Sequence, residues 1–332
     1  MQRIVISVLV LFFSTASMAL EELSQDTAIK WLQKMGQALH NLNYDGVFVY
    51  QHGEQLSSMR LIHGRDDKGE HERLVSLTGT AREVIRSNNQ VICILPDTRS
   101  VIVERKNQSR PGFPHLLPKQ LQEIGDSYRF ELGHRARVSG LTAQQIRILA
   151  NDQYRYSYHL WLDVNTGMLL KAELRNKQHM IEQFMFTSLK FLPAFPQGLL
   201  ASDVNKNDFL SYRHQRRDKA EPVKIRKNDW KIDFLPSGFK LQHHQYQFQT
   251  GAQNVDLKSA EPVQHLVYSD GLTTVSVFIE KLQAAQSPMT GASPLGAINT
   301  YASMVGHTQI TVVGEVPEKT VRQIAESVRY QP

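Results

Sequence analysis

The side chains best able to do chemistry in this chain are thirteen histidines, a single cysteine and carboxylates scattered along its length. Their spacing assembles no catalytic centre. His71-Glu72 begins like a zinc-protease helix, but Val75 stands where the second histidine is needed, and the segment reads as strand. His243 and His244 are adjacent, so on a strand they point to opposite faces and cannot share a metal. No G-x-S-x-G elbow, G-x-x-x-x-G-K-[ST] loop or G-x-G-x-x-G turn is present. Asp and Glu show no pairing suited to acid/base work. The expectation is a protein that is not an enzyme, with no catalytic residues, no metal and no cofactor. Cys93 lies in the run Val91-Ile92-Cys93-Ile94-Leu95 and reads as a buried small hydrophobe, with a reactive thiol as the competing reading. One cysteine forbids an internal disulfide.

The first twenty residues set the compartment. Met1-Gln2-Arg3 is short and basic, Ile4 to Phe13 is apolar apart from Ser7, and Ser17-Met18-Ala19 places small residues at −3 and −1 of a cut after Ala19. These are the three parts of a secretory signal peptide. The apolar run is too short for a membrane span, which needs about twenty residues, and no later segment is long and apolar enough. Export removes ATP, nicotinamide pools and nucleic acid from the expected partners.

Such a chain needs elements that bind. Residues 24 to 42 carry Ala28, Trp31, Leu32, Met35, Leu39 and Leu42 at helical steps behind Ser24. Short apolar runs then follow at 44–51, 58–63, 73–77, 81–86, 90–95 and 100–104, separated by turn residues, which predicts an antiparallel meander. Residues 105–126, with three prolines, read as a long loop, either a lid or inert. Tyr154 to Arg175 reads as a hairpin about Asp163–Gly167. Met180 to Phe191 is apolar on both parities, with Phe184 and Phe186 facing one way and Ile181, Met185, Leu189 and Phe191 the other, and needs cover on both faces. The helix is expected on one face and a cavity on the other.

The net charge is +6, and most of it is local: residues 200–227 hold eight Lys or Arg against four Asp or Glu. That connector reads as solvated linker or as a docking patch for an anionic partner. A smaller second domain follows. Trp230–Leu235 and Phe239–Gln249 read as strands, His265–Leu282 as a hairpin about Ser269-Asp270-Gly271, Thr308–Val313 as a strand, and Pro317–Arg329 as a closing helix. The domain plan is a signal peptide (1–19), a first domain (20–199), a basic linker (200–222) and a second domain (223–332).

Several ordered blocks resemble the MucB/RseB family of periplasmic regulators. They include Tyr44-Asp45-Gly46-Val47-Phe48-Val49-Tyr50, Arg82-Glu83-Val84-Ile85-Arg86, Tyr158-His159-Leu160-Trp161-Leu162-Asp163, Leu235-Pro236-Ser237-Gly238-Phe239 and Tyr268-Ser269-Asp270-Gly271-Leu272. The resemblance spans roughly residues 22 to 329. It implies an α+β fold that is mainly antiparallel β. The first domain would be an incomplete, lipoprotein-carrier-like β-barrel wrapped round a helix, and the second a small α/β module. It implies a periplasmic protein that binds the periplasmic segment of a membrane-spanning anti-sigma factor. That segment is shielded from proteolysis, the envelope-stress sigma factor stays captive, and lipopolysaccharide or related lipid releases the complex. In one branch the circuit controls exopolysaccharide production. The alternative is a lipid or lipoprotein carrier with no regulatory partner. Self-association stays open.

Two sets of site residues follow. Phe48, Trp161, Met168, Leu170, Phe184 and Phe186 are the candidates for lining a lipid cavity, with ordinary core as the competing reading. Arg216, Arg217, Tyr246, Phe248 and Tyr268 are the candidates for partner contact, as aromatic anchors beside arginine. Movement about the connector is expected to supply the bound and released states.

Overall fold

Apolar side chains at three- and four-residue steps make residues 24–41 an amphipathic helix, α1. It buries Ala28, Ile29, Leu32, Met35, Ala38 and Leu39. The computed structural model describes residues 24–87, 90–105, 121–205, 207, 209–214, 229–247, 262–282 and 287–331. The expected signal peptide, most of the 105–126 stretch and much of the basic connector therefore lie outside the described residues.

The first domain is one sheet. Its strands are β1 (Tyr44–His52), β2 (Gln55–Asp66), β3 (Gly69–Ser76), β4 (Glu83–Ser87), β5 (Gln90–Leu95), β6 (Ser100–Arg105), β7 (Tyr128–Val138), β8 (Leu141–Ala150), β9 (Ser157–Asp163), β10 (Leu169–Arg175), β11 (Met180–Phe191) and, after a single helical turn α2 (Gln197–Leu200), β12 (Leu210–His214). The order is β12-β6-β5-β4-β3-β2-β1-β11-β10-β9-β8-β7, and the sheet does not close. Neighbours are antiparallel except β12, which runs parallel to β6. Alternation builds the concave face: Tyr44, Phe48, Tyr50, Ala172, Leu174, Phe184 and Phe186 share it, because paired residues stand on the same side. Helix α1 packs into one core with the β7–β11 half of the sheet.

Two expectations change here. A register shift opposite Val47/Phe48 inserts one extra residue into β11, so Gly46 pairs with Leu189 and Tyr44 with Phe191. The bulge turns Leu189 and Phe191 to the side of Phe186, away from Ile181 and Met185. Helix and cavity also share the concave face: Leu39 of α1 lines the cavity with Phe48, Phe184 and Phe186. Close approach at the bulge leaves no room for a side chain at residue 46, since a Cβ there would lie 2.5 Å from the Phe186 ring.

Residues 200–205 and 209–214, expected to lie in the linker, belong to the first domain. Arg73 donates to the Leu199 carbonyl (3.0 Å) and to Asp203 (3.2 Å), Ser202 donates to Glu83 (2.9 Å), and β12 extends the sheet. Ile62 of β2 and Ile94 of β5 are fully buried in this half of the sheet.

The second domain is a six-stranded antiparallel sheet in the order β14-β15-β16-β19-β18-β17. The strands are β14 (Lys240–Gln247), β15 (Val263–Ser269), β16 (Thr274–Lys281), β17 (Gly291–Leu295), β18 (Ile298–Val305) and β19 (Thr308–Gly314). Helix α3 (Glu318–Glu326) lays Val321, Ile324 and Ala325 on it. The helix is shorter than expected. Ser327 closes it, with its amide and hydroxyl on the Ile324 carbonyl, and β20 (Val328–Tyr330) pairs with β13 (Trp230–Ile232). The strand expected at Trp230–Leu235 likewise stops at Ile232. The fold is thus mainly antiparallel β with a minority of helix.

Candidate functional site

A cavity of about 300 Å³ opens on the concave face of β1, β10 and β11, at the junction of the two domains. Strand alternation sends Tyr44, Phe48 and Tyr50 into it from β1, and Phe184 and Phe186 from β11. The rings pack on one another, Phe48 to Phe184 at 4.7 Å and Phe184 to Phe186 at 5.1 Å between centroids. Leu39, Leu61 and Met168 complete the apolar wall.

The charged lining is acidic, beside the Gln183 amide and the phenols of Tyr44, Tyr50 and Tyr158. Glu72 and Glu182 come from the first domain and Glu315 from the second. Glu173 also borders it, held by Lys171 and Arg175 at 2.8 Å each. No Lys or Arg lines the cavity among the described residues. Burial, then the charge of Glu182, pushes the Glu315 carboxyl up to about 7, and the Tyr158 hydroxyl (3.4 Å) opposes the shift. Burial and the neighbouring carboxylates Glu182 and Glu315 hold the Tyr50 phenol above its ordinary value.

Around this mouth the domains are locked together. Arg155 donates to Asp270 at 2.7 Å, and both side chains are fully buried. Each is further satisfied. Arg155 also reaches the Ser237 carbonyl (2.5 Å) and Asp152 (3.0 Å). Asp270 accepts the Tyr128 hydroxyl (2.9 Å) and the amides of Leu272 and Thr273. The Ala297 amide donates to Glu182 (2.6 Å), Asn299 to the Tyr156 hydroxyl (3.1 Å) and Thr320 to the Tyr154 carbonyl (2.8 Å). Leu272 and Ala297 of the second domain sit in the core of the first.

Four of the six cavity candidates line this cavity: Phe48, Met168, Phe184 and Phe186. Trp161 does not. Its partner Lys171 pairs with Met185, on the opposite face from Phe184, and the Lys171 ammonium sits 4.5 Å above the indole. Leu170 occupies a register shift between Leu169 and Lys171 and is wholly buried in the core. Of the partner candidates, Tyr268 is a correction. It is 8% exposed and packs in the second domain's core, where alternation along β15 points it inward. Tyr246 is half-buried on β14 and stacks at a tilt on His244. Arg216, Arg217 and Phe248 lie outside the described residues. Cys93 is half-buried on β5 and lines a second trough, with Met59, Leu74, Val84, Ile102, Arg82 and Arg86.

Sequence reasoning missed Arg155, Asp270, Glu182 and Glu315. Asp270-Gly271 was legible only as a hairpin turn. The same Asp also caps its loop and crosses to Arg155.

Known proteins match over both domains. The MucB/RseB N-terminal domain matches residues 27–211 and the MucB/RseB C-terminal domain residues 224–329. The Sigma-E factor regulatory protein RseB of Haemophilus influenzae is 26% identical, over 94% of this chain and 93% of that one. The Sigma factor AlgU regulatory protein MucB of Pseudomonas aeruginosa is 30% identical, over 91% and 90%. Among solved structures, the P. aeruginosa MucA/MucB complex matches with a TM-score of 0.67 at 26% identity, covering 92% of this chain and 99% of that one. A crystal structure of MucB matches at 0.58, with 25% identity over 92% and 98%. Family models that cover both domains in order, relatives that align end to end and a shared two-domain architecture agree: this chain belongs to the MucB/RseB family of sigma-factor regulatory proteins.

Proposed function

We propose that this chain is a periplasmic negative regulator of an envelope-stress sigma factor. It binds the periplasmic segment of a membrane-spanning anti-sigma factor and shields it from proteolysis until lipopolysaccharide or a related lipid releases it. The observation that carries the reading is the likeness to MucB in complex with the periplasmic part of MucA, at a TM-score of 0.67 against 0.58 for MucB alone. The signal peptide, cut after Ala19, delivers the chain to that compartment.

Release would act through the boundary between the domains. Partner and lipid are coupled if they favour different arrangements of the two domains, and a coupling of about 1–3 kcal/mol weakens partner binding roughly 5–150-fold. The cavity is where lipid acts on that arrangement, because Glu315 of the second domain forms part of its wall.

The test uses the exported chain and the periplasmic segment of the anti-sigma factor from the same bacterium. The expected result is co-elution at micromolar concentration, slower cleavage of the segment by protease, and loss of both when lipopolysaccharide is added. Absence of binding at micromolar concentration overturns the reading. Stoichiometric lipid in the isolated protein, without partner binding, supports the carrier alternative.

A further inference from the structure

Two carboxylates from different domains meet in the cavity, and the lipid assigned to it is an anion. Glu182 stands on β11 of the first domain, and Glu315 follows β19 of the second. The other two lining carboxylates have bases of their own: Glu72 pairs with Arg86 at 3.3 Å, and Glu173 with Lys171 and Arg175 at 2.8 Å each. No Lys or Arg lines the wall beside Glu182 and Glu315 among the described residues. An anionic head group brought here adds a third negative charge to those two. Like charges partly removed from water repel, and the cheapest relief is a proton on one carboxylate.

The donors around each carboxylate decide which one takes it. Glu182 accepts the Ala297 amide at 2.6 Å and the Tyr50 hydroxyl. Glu315 is met by the Tyr158 hydroxyl at 3.4 Å, a long bond to a single donor. Hydrogen bonds to the charged form hold a carboxylate ionised, so the poorly served one gives up its charge first. We propose that the cavity takes up its anionic lipid together with a proton on Glu315, so that acid favours lipid binding and the release that follows from it. This rests on the lipid-release reading and adds the condition under which release is strongest.

The sign follows from the groups that face the site. Burial, then the charge of Glu182, puts the Glu315 carboxyl at about 7, so it is mostly protonated at pH 6 and mostly ionised at pH 8. The phenols of Tyr44 and Tyr50 on β1, Tyr158 on β9 and Tyr156 before it are raised by burial and stay neutral across that range. Burial pushes the Glu173 carboxyl up, but Lys171 and Arg175 outweigh it and hold the group below its ordinary value. Asp270, which faces Tyr158 from the second domain, is paired with Arg155. His63 on β2 stacks on Tyr44 at 5.1 Å, and His52 at the end of β1 stands 4.0 Å from Glu182. An anion therefore binds more weakly as pH rises through 7.

The experiment is calorimetric titration of the mature chain with decanesulfonate, whose charge is fixed, and with non-ionic decyl maltoside, each below its micelle concentration, at pH 6, 7 and 8. The expected result is that the sulfonate binds about tenfold more weakly at pH 8 than at pH 6, the factor for one required proton on a group near 7. The maltoside changes by less than about twofold, since it brings no charge. At pH 7, titrations in buffers of different ionisation enthalpy show about half a proton taken up per sulfonate. Glu315→Gln binds the sulfonate equally at pH 6 and pH 8, as tightly as the wild type does at pH 6. A sulfonate affinity independent of pH, no proton uptake at pH 7, or a dependence that survives Glu315→Gln or is lost in His52→Gln overturns the proton inference and leaves the lipid-release reading standing. Failure of both amphiphiles to bind overturns both.

Discussion

Two pairs of charged side chains cross the boundary between the domains, and they are opposites. Arg155 and Asp270 attract, are fully buried, and spend their remaining donors and acceptors on Tyr128, Ser237 and the amides of Leu272 and Thr273. Glu182 and Glu315 repel, in a cavity where no base lines the wall among the described residues. The first pair is a fixed hinge pin. The second is a strain that a ligand or a proton can relieve. The boundary thus combines a satisfied ion pair at one point with a repulsion at another.

The largest expected effect comes from breaking the attractive pair. Asp270→Asn leaves the Arg155 charge buried beside Asp152 alone and costs about 3–5 kcal/mol in urea unfolding. Replacing both partners by apolar residues, Arg155→Met with Asp270→Leu, recovers much of that loss, because desolvation of the ions is then avoided. If Asp270→Asn unfolds like the wild type, the hinge-pin description is wrong.

The repulsive pair gives the next effect, with the opposite sign. The Glu315 carboxyl is raised from an ordinary 4.5 to about 7, so the folded state binds more protons than the unfolded state between those values. Stability therefore falls as pH rises from about 4.5 to 7 and is flat above it, by up to about 3 kcal/mol. Glu315→Gln removes that fall, so its urea midpoint exceeds the wild type's at pH 8 and matches it near pH 5. A variant whose midpoint tracks the wild type's at both pH values would refute the raised Glu315 carboxyl.

Smaller effects sharpen the contrast. Tyr128→Phe removes one donor to Asp270 and costs about 1 kcal/mol by the same measurement. Away from the boundary, the Arg60–Asp45 bridge is about 39% exposed on its arginine side, and Arg60→Ala costs less than about 1 kcal/mol. A larger loss there would mean that position relative to the domain boundary does not set the cost.

How much of this was legible in the sequence depended on which interactions were local. Periodicity found α1, because Ala28, Leu32, Met35 and Leu39 lie one turn apart. It also found β5 and the Asp270 hairpin, whose turn chemistry is written in adjacent residues. The expected strands did not include β7–β8 or β17–β18. In β7 a register shift between Leu132 and Arg135 interrupts the alternation, and β17 is exposed along its whole length with Pro294 inside it. Alternation placed Trp161 with the cavity residues because it cannot tell the concave face from the convex one, and a bulge in β11 reversed its parity partway along the strand. The boundary charges were invisible for another reason. Arg155 and Asp270 are 115 residues apart, and nothing near either one announces the other.

The open sheet has a cost of its own. Among the described residues the sheet ends in two edges, β7 and β12, and an unpaired strand edge is a template for another chain's strand. On one side β7 presents Arg129, Glu131, Arg135 and Arg137, and its register shift spoils a flat pairing surface. On the other, β12 covers β6 and is itself only five residues long, with Leu210 and Tyr212 turned to solvent. The charged edge is guarded against aggregation and the short one barely so. Chains that clump during export or refolding are expected to meet through β12, and Leu210→Lys is the change that blunts it.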